Sequence, residues 1–283
     1  MAALFGPSGN SQRFYEEGYK KTLDAFRWLN ELGLDAFEYP AGNGITASLA
    51  TFSSLGKEAA RYGIRTSFHT PYYISLSSVE PQTRLKSIQY IQKSEEAARA
   101  LGADTLVIHT GSAAKLSREE ALSLATDTMA KTLETLPDSP IRLGLETMGK
   151  KNQLGTLEEV IAICKLHKRL CPVVDFGHIN AREGGCFFTK DDYRRVFDRI
   201  ASALGHEYAE NLHCHFSKIE YTAAGEKRHL TFEDSTFGPA FEPLLEVIYE
   251  EHLSPRIICE SAGTMADDAL TMKRYYESLY ERK

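Results

Sequence analysis

The stretch "LKSIQYIQKSEEAARALGADTLVIH", residues 85–109, contains the unit from which we predict that the fold is built. Its first part, residues 85–103, carries apolar residues at helical spacing and includes Gly102, a residue type that often follows the last turn of a helix. Its last part, residues 105–109, is a short apolar run that ends in a histidine. A helix followed closely by a buried strand is typical of parallel β/α proteins.

Short apolar runs of this kind recur along the whole chain. We predict strands at residues 3–5, 35–39, 65–69, 105–109, 142–146, 172–175, 211–215 and 256–260. The segments between them have helical periodicity, and two of them open with capping boxes, at Ser117–Glu120 and Thr156–Glu159. No G-x-G-x-x-G follows the first run, which disfavours an open Rossmann sheet. We therefore predict an α/β fold, a (β/α)8 TIM barrel, as a single domain over residues 1–283.

The composition argues against several classes of protein. The formal net charge of −6 does not favour general nucleic-acid binding, although a local basic rim can still contact phosphates. No apolar stretch approaches the roughly 20 residues that span a bilayer. Residues 1–10 lack the basic and apolar segments of a secretory signal, and the five cysteines form no C-x-x-C pair. We expect a reduced, cytoplasmic monomer without membrane contact or protein partner.

Side chains of metal-binding type stand at the ends of six predicted strands. They are His69, His109, Glu146, Asp175, His213 and Glu260, and two further histidines, His178 and His229, follow strand ends. In a TIM barrel all strand carboxyl ends open on one face, so these residues should converge there. A single histidine at such a place is more often structural than a ligand, but the joint pattern favours a metal site. We place His215 behind the ligands, in a supporting position.

The residue types indicate which ions and which chemistry such a site suits. Imidazole and carboxylate groups without cysteine suit a catalytic centre for Zn2+, Mn2+ or Fe2+. One catalytic ion needs about three protein ligands, so this larger set predicts two or more ions joined by a bridging carboxylate. Paired ions are typical of phosphodiester hydrolysis. We assign Glu146, Asp175 and Glu260 as the catalytic carboxylates.

At these residues the sequence resembles the endonuclease IV family of apurinic/apyrimidinic endonucleases, within the xylose-isomerase-like barrels. The similar segments are "FHTPYYISL" (68–76), "VIHTGS" (107–112), "GLETMGKKNQLGT" (144–156), "VVDFGHINA" (173–181), "LHCHFSK" (212–218) and "CESAG" (259–263). The resemblance implies a zinc-dependent hydrolase with a trinuclear site. Such an enzyme cleaves the phosphodiester 5′ to an abasic deoxyribose in duplex DNA and acts in base-excision repair.

The resemblance also implies a role for each residue. The first zinc would be bound by His69, His109 and Glu146; the second by Glu146, Asp175, His213 and Glu260; the third by His178 and His229. Tyr72 and Tyr73 match a loop that the family presses into the DNA minor groove, although ordinary loop packing is an equal alternative. We expect Lys150 and Arg228, in a thin basic rim, to contact DNA.

Two positions depart from the family's pattern. The family has an aspartate two residues before its third-site histidine, and here that position is Lys227. An ammonium has no lone pair and cannot bind a metal, so we expect two tightly bound ions and a weak third, unless Glu226 or Asp234 supplies the missing acid. The loop at residues 38–45 lacks the arginine expected to enter DNA.

Two alternatives to a DNA phosphodiesterase stay open. The first is a sugar isomerase or epimerase of the same barrel superfamily, which uses one divalent ion held by carboxylates and a histidine. The second is a barrel that keeps metal and binds DNA or a metabolite without turnover. His69, His109 and His178 count against the isomerase, because one ion does not need them.

Overall fold

The computed structural model describes residues 2–281, which form one parallel barrel surrounded by helices. The strands are Leu4–Pro7 (β1), Ala36–Pro40 (β2), Arg65–His69 (β3), Thr105–Ile108 (β4), Arg142–Glu146 (β5), Leu170–Asp175 (β6), His213–Phe216 (β7), Ile219–Thr222 (β8), Gly225–His229 (β9) and Arg256–Cys259 (β10). All but β8 and β9 pair in parallel, in the order β1-β10-β7-β6-β5-β4-β3-β2. A parallel bridge between Ser8 and Glu38 brings β1 beside β2 and closes the barrel. The predicted TIM barrel is confirmed.

The helices lie between successive strands. They are Gln12–Glu16 (α1), Ala25–Leu32 (α2), Leu49–Arg61 (α3), Pro81–Leu101 (α4), Arg118–Thr135 (α5), Leu157–Cys164 (α6), Phe176–Glu183 (α7), Lys190–Leu204 (α8), His206–Glu210 (α9), Glu242–Glu250 (α10) and Met265–Glu281 (α11), with a 3-10 turn at Thr22–Asp24. Both predicted capping boxes are present, at the starts of α5 and α6. Gly102 follows α4 with φ +74°, a left-handed conformation that glycine adopts without steric cost.

The alternation of side chains along β7 explains how one strand serves both the core and the site. Cys214 is fully buried in the apolar core, whereas His213 and His215, its two neighbours, share the opposite face. His213 contacts Glu38 and His215 contacts Glu146, so both rings lie inside the barrel. Cys214 therefore points away from the site.

The antiparallel hairpin of β8 and β9 lies outside the barrel and was not predicted from the sequence. It follows β7 directly and reaches over the mouth, where an isolated bridge joins Lys150 to Gly225. Among residues 2–281, no helix combines the length and the apolar character needed to cross a membrane.

Candidate metal centre

A cavity of about 480 Å³ opens at the carboxyl ends of the barrel strands. Its lining residues are His69, Tyr72, His109, Glu146, Met148, Lys150, Gln153, His178, Glu226, His229 and Glu260. Six of the eight residues predicted as ligands therefore face one cavity. Asp175 lies directly below it in contact with His178, and His213 is the exception described below.

The first ligand group consists of His69, His109 and Glu146. His109 Nε2 lies 2.9 Å and His69 Nε2 lies 3.3 Å from the same oxygen, Glu146 Oε2. The other nitrogen of His69, Nδ1, donates a hydrogen bond to the carbonyl of Thr70 at 2.8 Å. That bond keeps a proton on Nδ1, so that Nε2 is the nitrogen whose lone pair is directed at the group once its own proton is lost. These three residues meet as the sequence predicted.

The second group shares Glu146 with the first and adds Asp175, His215 and Glu260. Nδ1 of His215 lies 3.0 Å from Glu146 Oε1 and 3.7 Å from Glu260 Oε2. Asp175 caps α7, because its Oδ1 accepts the backbone N–H of His178 at 2.7 Å. Its Oδ2 is buried and accepts no hydrogen bond, which is costly for a carboxylate oxygen unless a cation binds there.

The placement of His213 differs from the prediction. His215, and not His213, stands beside Glu146, and its ring lies 6.0 Å from that of His69. The reason is register: Asp175 on β6 is level with His215, whereas His213 is level with Val173. Two residues along a strand span about 6.6 Å, so His213 lies one layer deeper in the barrel. There it donates to Glu38 Oε2 at 3.0 Å.

The third group consists of His178, His229 and Glu226. Glu226 lies between the two histidines, with its Oε2 3.6 Å from His178 Nε2 and its Oε1 4.0 Å from His229 Nε2. The second nitrogen of each histidine is also engaged: Nδ1 of His178 donates to the carbonyl of Thr147 at 2.9 Å, and Nδ1 of His229 contacts Ser217 Oγ at 2.8 Å. Both rings therefore direct Nε2 at Glu226.

Glu226, one of the two acids that the sequence offered in place of the family's aspartate, is the carboxylate of this group. Lys227 is exposed and turns away, with its Nζ 2.5 Å from Glu220 Oε1. A register shift beside Glu220 and Tyr221 leaves Lys227 without a partner strand residue, since Tyr221 pairs with Glu226 and Glu220 with Arg228. Lys227 is thus the extra residue of a β-bulge, and the neighbouring acid supplies the carboxylate.

The pKa values of the buried groups in the cavity are shifted so that the Glu146 carboxylate and the His69 and His178 rings are all charged in the absence of metal. Burial alone would lower the pKa of His69, but its hydrogen bond to Glu146 and the charges of Glu146 and Glu38 raise it to about 9. Burial likewise opposes protonation of His178, and the nearby Asp175 and Glu146 overcome it and raise its pKa to about 9. Burial would raise the pKa of Glu146, yet the charges of His215 and His109 hold it well below its usual value.

The donor set fits divalent ions. Within each group the nitrogen and oxygen atoms lie within 4.8 Å of one another, and no group contains a thiol. Nitrogen and carboxylate donors suit Zn2+, Mn2+ or Fe2+. Glu146 belongs to two groups and presents one oxygen to each, the arrangement of a bridging carboxylate. The residues could hold up to three ions.

Tyr72 and Tyr73 lie on the loop after β3 with exposed fractions of 59% and 49%. The ring of Tyr72 stacks on His109 at 5.5 Å between ring centres and covers Gly42, where a Cβ atom would lie 2.1 Å from the ring. Burial by these neighbours and the charge of Glu260 raise the pKa of Tyr72 to about 12. Tyr73 packs edge-on against Tyr90 at 4.6 Å.

The two basic residues predicted to bind DNA lie at the rim. Lys150 lines the cavity beside Gln153, whose Oε1 accepts the Lys150 backbone N–H at 3.3 Å. Arg228 is exposed on β9 and pairs with Glu220 at 2.6 Å.

Sequence reasoning missed Glu38, placed His215 behind the ligands, and named Glu226 only as one of two alternative acids for the third group. Glu38 carried a usable signal, because a carboxylate inside a short apolar strand is seldom buried without a charged partner. The sequence could not decide between Glu226 and Asp234, since the position of Glu226 depends on the bulge.

The chain matches the sequence profile of the xylose isomerase-like TIM barrel family over residues 26–276. An uncharacterized protein of Methanocaldococcus jannaschii is 31% identical over 91% of this chain and 92% of that protein. A protein named probable endonuclease 4, from Acholeplasma laidlawii, is 30% identical over 65% of this chain and 62% of that protein.

Solved structures of two kinds share the fold. A D-tagatose 3-epimerase-like protein superposes with a TM-score of 0.69 at 22% identity, covering 88% of this chain and 91% of its own. Endonuclease IV from Thermus thermophilus superposes with a TM-score of 0.66 at 19% identity, covering 94% of this chain and 96% of its own. At these identities the similarity shows the barrel fold alone.

Proposed function

This chain belongs to the xylose isomerase-like TIM barrel family, and from that premise we propose that it is a metal-dependent phosphodiesterase that cleaves duplex DNA 5′ to abasic sites. One observation carries the proposal: three ligand groups meet at one cavity, and two of them share Glu146. A single-ion enzyme needs only one of these groups. If that group is the second one, the histidine pairs of the first and third groups, His69 with His109 and His178 with His229, have no role in such an enzyme.

The chemistry of the donor set supports a centre of two or three zinc ions, with Mn2+ or Fe2+ as alternatives. Such ions would supply the positive charge that stabilises a phosphodiester as it is attacked, and would lower the pKa of water. Glu146 would hold the centre together, since its two oxygens face different groups. Asp175 offers to it a buried oxygen that accepts no hydrogen bond.

Glu260 is the carboxylate best placed to handle a proton. It lines the cavity and keeps about 15% of its side chain exposed, whereas Glu146 and Asp175 are fully enclosed. We assign to Glu260 the acceptance of a proton from the attacking water. Hydrolysis at the bond between phosphorus and the 3′ oxygen then leaves a 3′-hydroxyl on one strand and a phosphate on the abasic sugar.

The rim offers contacts for the nucleic acid. Tyr72 and Tyr73 present exposed rings beside the cavity, and an aromatic ring can stack where a base is missing. Lys150 places an ammonium at the cavity for a phosphate. Arg228 already pairs with Glu220, so we assign it a smaller share of the binding.

The deciding experiment uses a labelled duplex that carries one synthetic abasic site, incubated with protein that has been reconstituted with zinc. We expect a single cut 5′ to the lesion, no cut in the intact duplex, and no activity after treatment with a chelator. Binding of the abasic duplex without any cut, at every metal tested, would favour a barrel that binds without turnover and would end the proposal.

A sugar epimerase or isomerase is the second candidate, because one group is already sufficient for it. Glu146, Asp175, His215 and Glu260 together form a complete four-residue site for one ion, and a cavity of about 480 Å³ accommodates a monosaccharide. The fold of a D-tagatose 3-epimerase-like protein agrees with this candidate. Turnover of ketohexoses that survives replacement of His109 and His229 by alanine would favour it.

The five cysteines are all free thiols, which supports the proposal that the protein works in a reducing compartment such as the cytoplasm.

A further inference from the structure

A carboxylate lies beneath the second ligand group, deeper in the barrel than any predicted ligand carboxylate. Glu38 is the third residue of β2 and has no exposed surface. An isolated ionised carboxylate is strongly disfavoured in such a place, so its contacts have to explain why it is there.

Both oxygens of Glu38 are engaged. Oε2 accepts a hydrogen bond from Ser67 Oγ at 2.8 Å and another from His213 Nε2 at 3.0 Å. Ser67 is the register partner of Glu38 on β3, so the strand pairing itself places this donor. Oε1 lies 3.0 Å from Nε2 of His215, a close contact that does not have the geometry of a hydrogen bond.

His215 thus stands between two carboxylates. Its Nε2 faces Glu38, and its Nδ1 faces Glu146 Oε1 at 3.0 Å on the side of the second group. A neutral imidazole has one N–H and one lone pair, and only the lone pair can bind a cation. A carboxylate beside Nε2 favours the tautomer that carries its proton there, which leaves Nδ1 free for the ion.

The other histidines of the site are held differently. His69 and His178 donate their outer N–H groups to backbone carbonyls, of Thr70 and Thr147, and direct Nε2 at the ligand groups. His215 directs Nδ1 instead and is backed by a charged side chain. A carboxylate at the outer nitrogen makes an imidazole a stronger electron donor than a carbonyl does.

We propose that Glu38 is a positioning residue, which acts through His215 to fix the tautomer and orientation of the histidine ligand of the second group. The inference rests on the proposed function only in requiring an ion at that group. Glu38, His213 and His215 could be regarded as a metal site of their own, since their ligand atoms are close together. Ser67 and His213 already donate hydrogen bonds to Oε2, however, and this favours the positioning role.

The test compares Glu38→Gln with Glu95→Gln in the full chain. Glu95 is an equally buried glutamate on α4 that pairs with Arg99 and Arg169, away from the cavity. We expect Glu38→Gln to lower the zinc affinity of the second group by about 10- to 100-fold. That is the usual cost of losing a carboxylate behind a metal-bound histidine. Glu95→Gln should keep the wild-type affinity.

Two readouts are independent of any enzymatic activity. Competition with a chelator gives the zinc affinity, and the 15N shifts of the His215 ring in the zinc-loaded protein give its tautomer. Unchanged affinity together with unchanged ring shifts in Glu38→Gln would overturn the proposal, as would an anomalous scattering peak between Glu38, His213 and His215. A protein that binds zinc but leaves abasic DNA intact would contradict the proposed function while leaving this inference standing.

If Glu38→Gln does not fold, Glu38→Asp takes its place. It keeps the buried charge but withdraws the carboxylate from His215 Nε2 by about one methylene group. We expect its zinc affinity to lie between those of the wild type and a variant without the carboxylate, and wild-type affinity would again overturn the role.

Discussion

Glu226 and His229 are three residues apart on β9 and nevertheless present their side chains to the same histidine-lined group, with Glu226 Oε1 4.0 Å from His229 Nε2. In a regular strand, residues separated by three point to opposite faces. The bulge at Lys227 adds one residue and reverses that relationship. The third ligand group therefore depends on a local irregularity of the hairpin.

The first prediction concerns the third ion. We expect the wild-type protein to hold three ions per chain, and Glu226→Gln to lose one of them because the only carboxylate of its group is neutralised. The loss of affinity should exceed about tenfold, since even a change behind a ligand costs about 10–100-fold. Lys227→Ala is the matched control and should keep all three, because the lysine turns outward to Glu220. Metal analysis after dialysis gives the number of ions per chain in each protein. Two ions in the wild type would refute the prediction.

The second prediction concerns the bridging carboxylate. Glu146→Gln should lower cleavage of abasic DNA by about 10³-fold or more, because it removes charge that two ligand groups share. The fold should persist, since the amide has the same shape, and circular dichroism checks this. Near-normal cleavage by this variant would contradict a multinuclear centre.

The third prediction is a pH dependence of metal uptake. His69 and His178 have pKa values of about 9 in the metal-free protein, so at pH 7 both rings are protonated on both nitrogens and positively charged. A cation must displace those protons, and the apparent zinc affinity should rise as the pH increases towards 9. Calorimetry in two buffers of different ionisation enthalpy measures the number of protons released per zinc ion bound. Binding without proton release at pH 7 would show that these histidines are not ligands.

The same two histidines set the pH dependence of stability in the presence of a chelator. Their folded-state pKa of about 9 lies above the ordinary value of 6.5, so their contribution is complete below about pH 6.5 and is lost as the pH rises through about 9. Urea unfolding should therefore show falling stability across this window. Zinc-loaded protein, in which the ions replace the protons, should not follow that decline.

The fourth prediction concerns the exposed tyrosine at the cavity. Tyr72→Ala should weaken binding of abasic duplex by about 1–3 kcal/mol, the range for stacking on an aromatic ring, with unchanged metal content. Tyr72→Phe keeps the ring and should bind as the wild type does. Equal affinity of Tyr72→Ala and wild type, titrated at one fixed salt concentration, would assign Tyr72 to packing against Gly42 and His109.

The sequence alone determined the barrel and most of the residues that line its mouth. Apolar runs that end in His69, Glu146 and Asp175 are local patterns, and the parallel β/α architecture brings all such ends to one face without further information. His109 and Glu260 follow the same rule, one residue beyond their strands.

Only the tertiary structure decided which residues complete each group. His213 and His215 share a face by alternation, and the pairing of β7 with β6 selects His215 by setting it level with Asp175. Glu226 depends on a bulge, and Glu38 on the closure that carries β2 to within reach of β7 across the barrel. Register, bulges and closure arise from contacts between distant segments, and for that reason no local pattern reveals them.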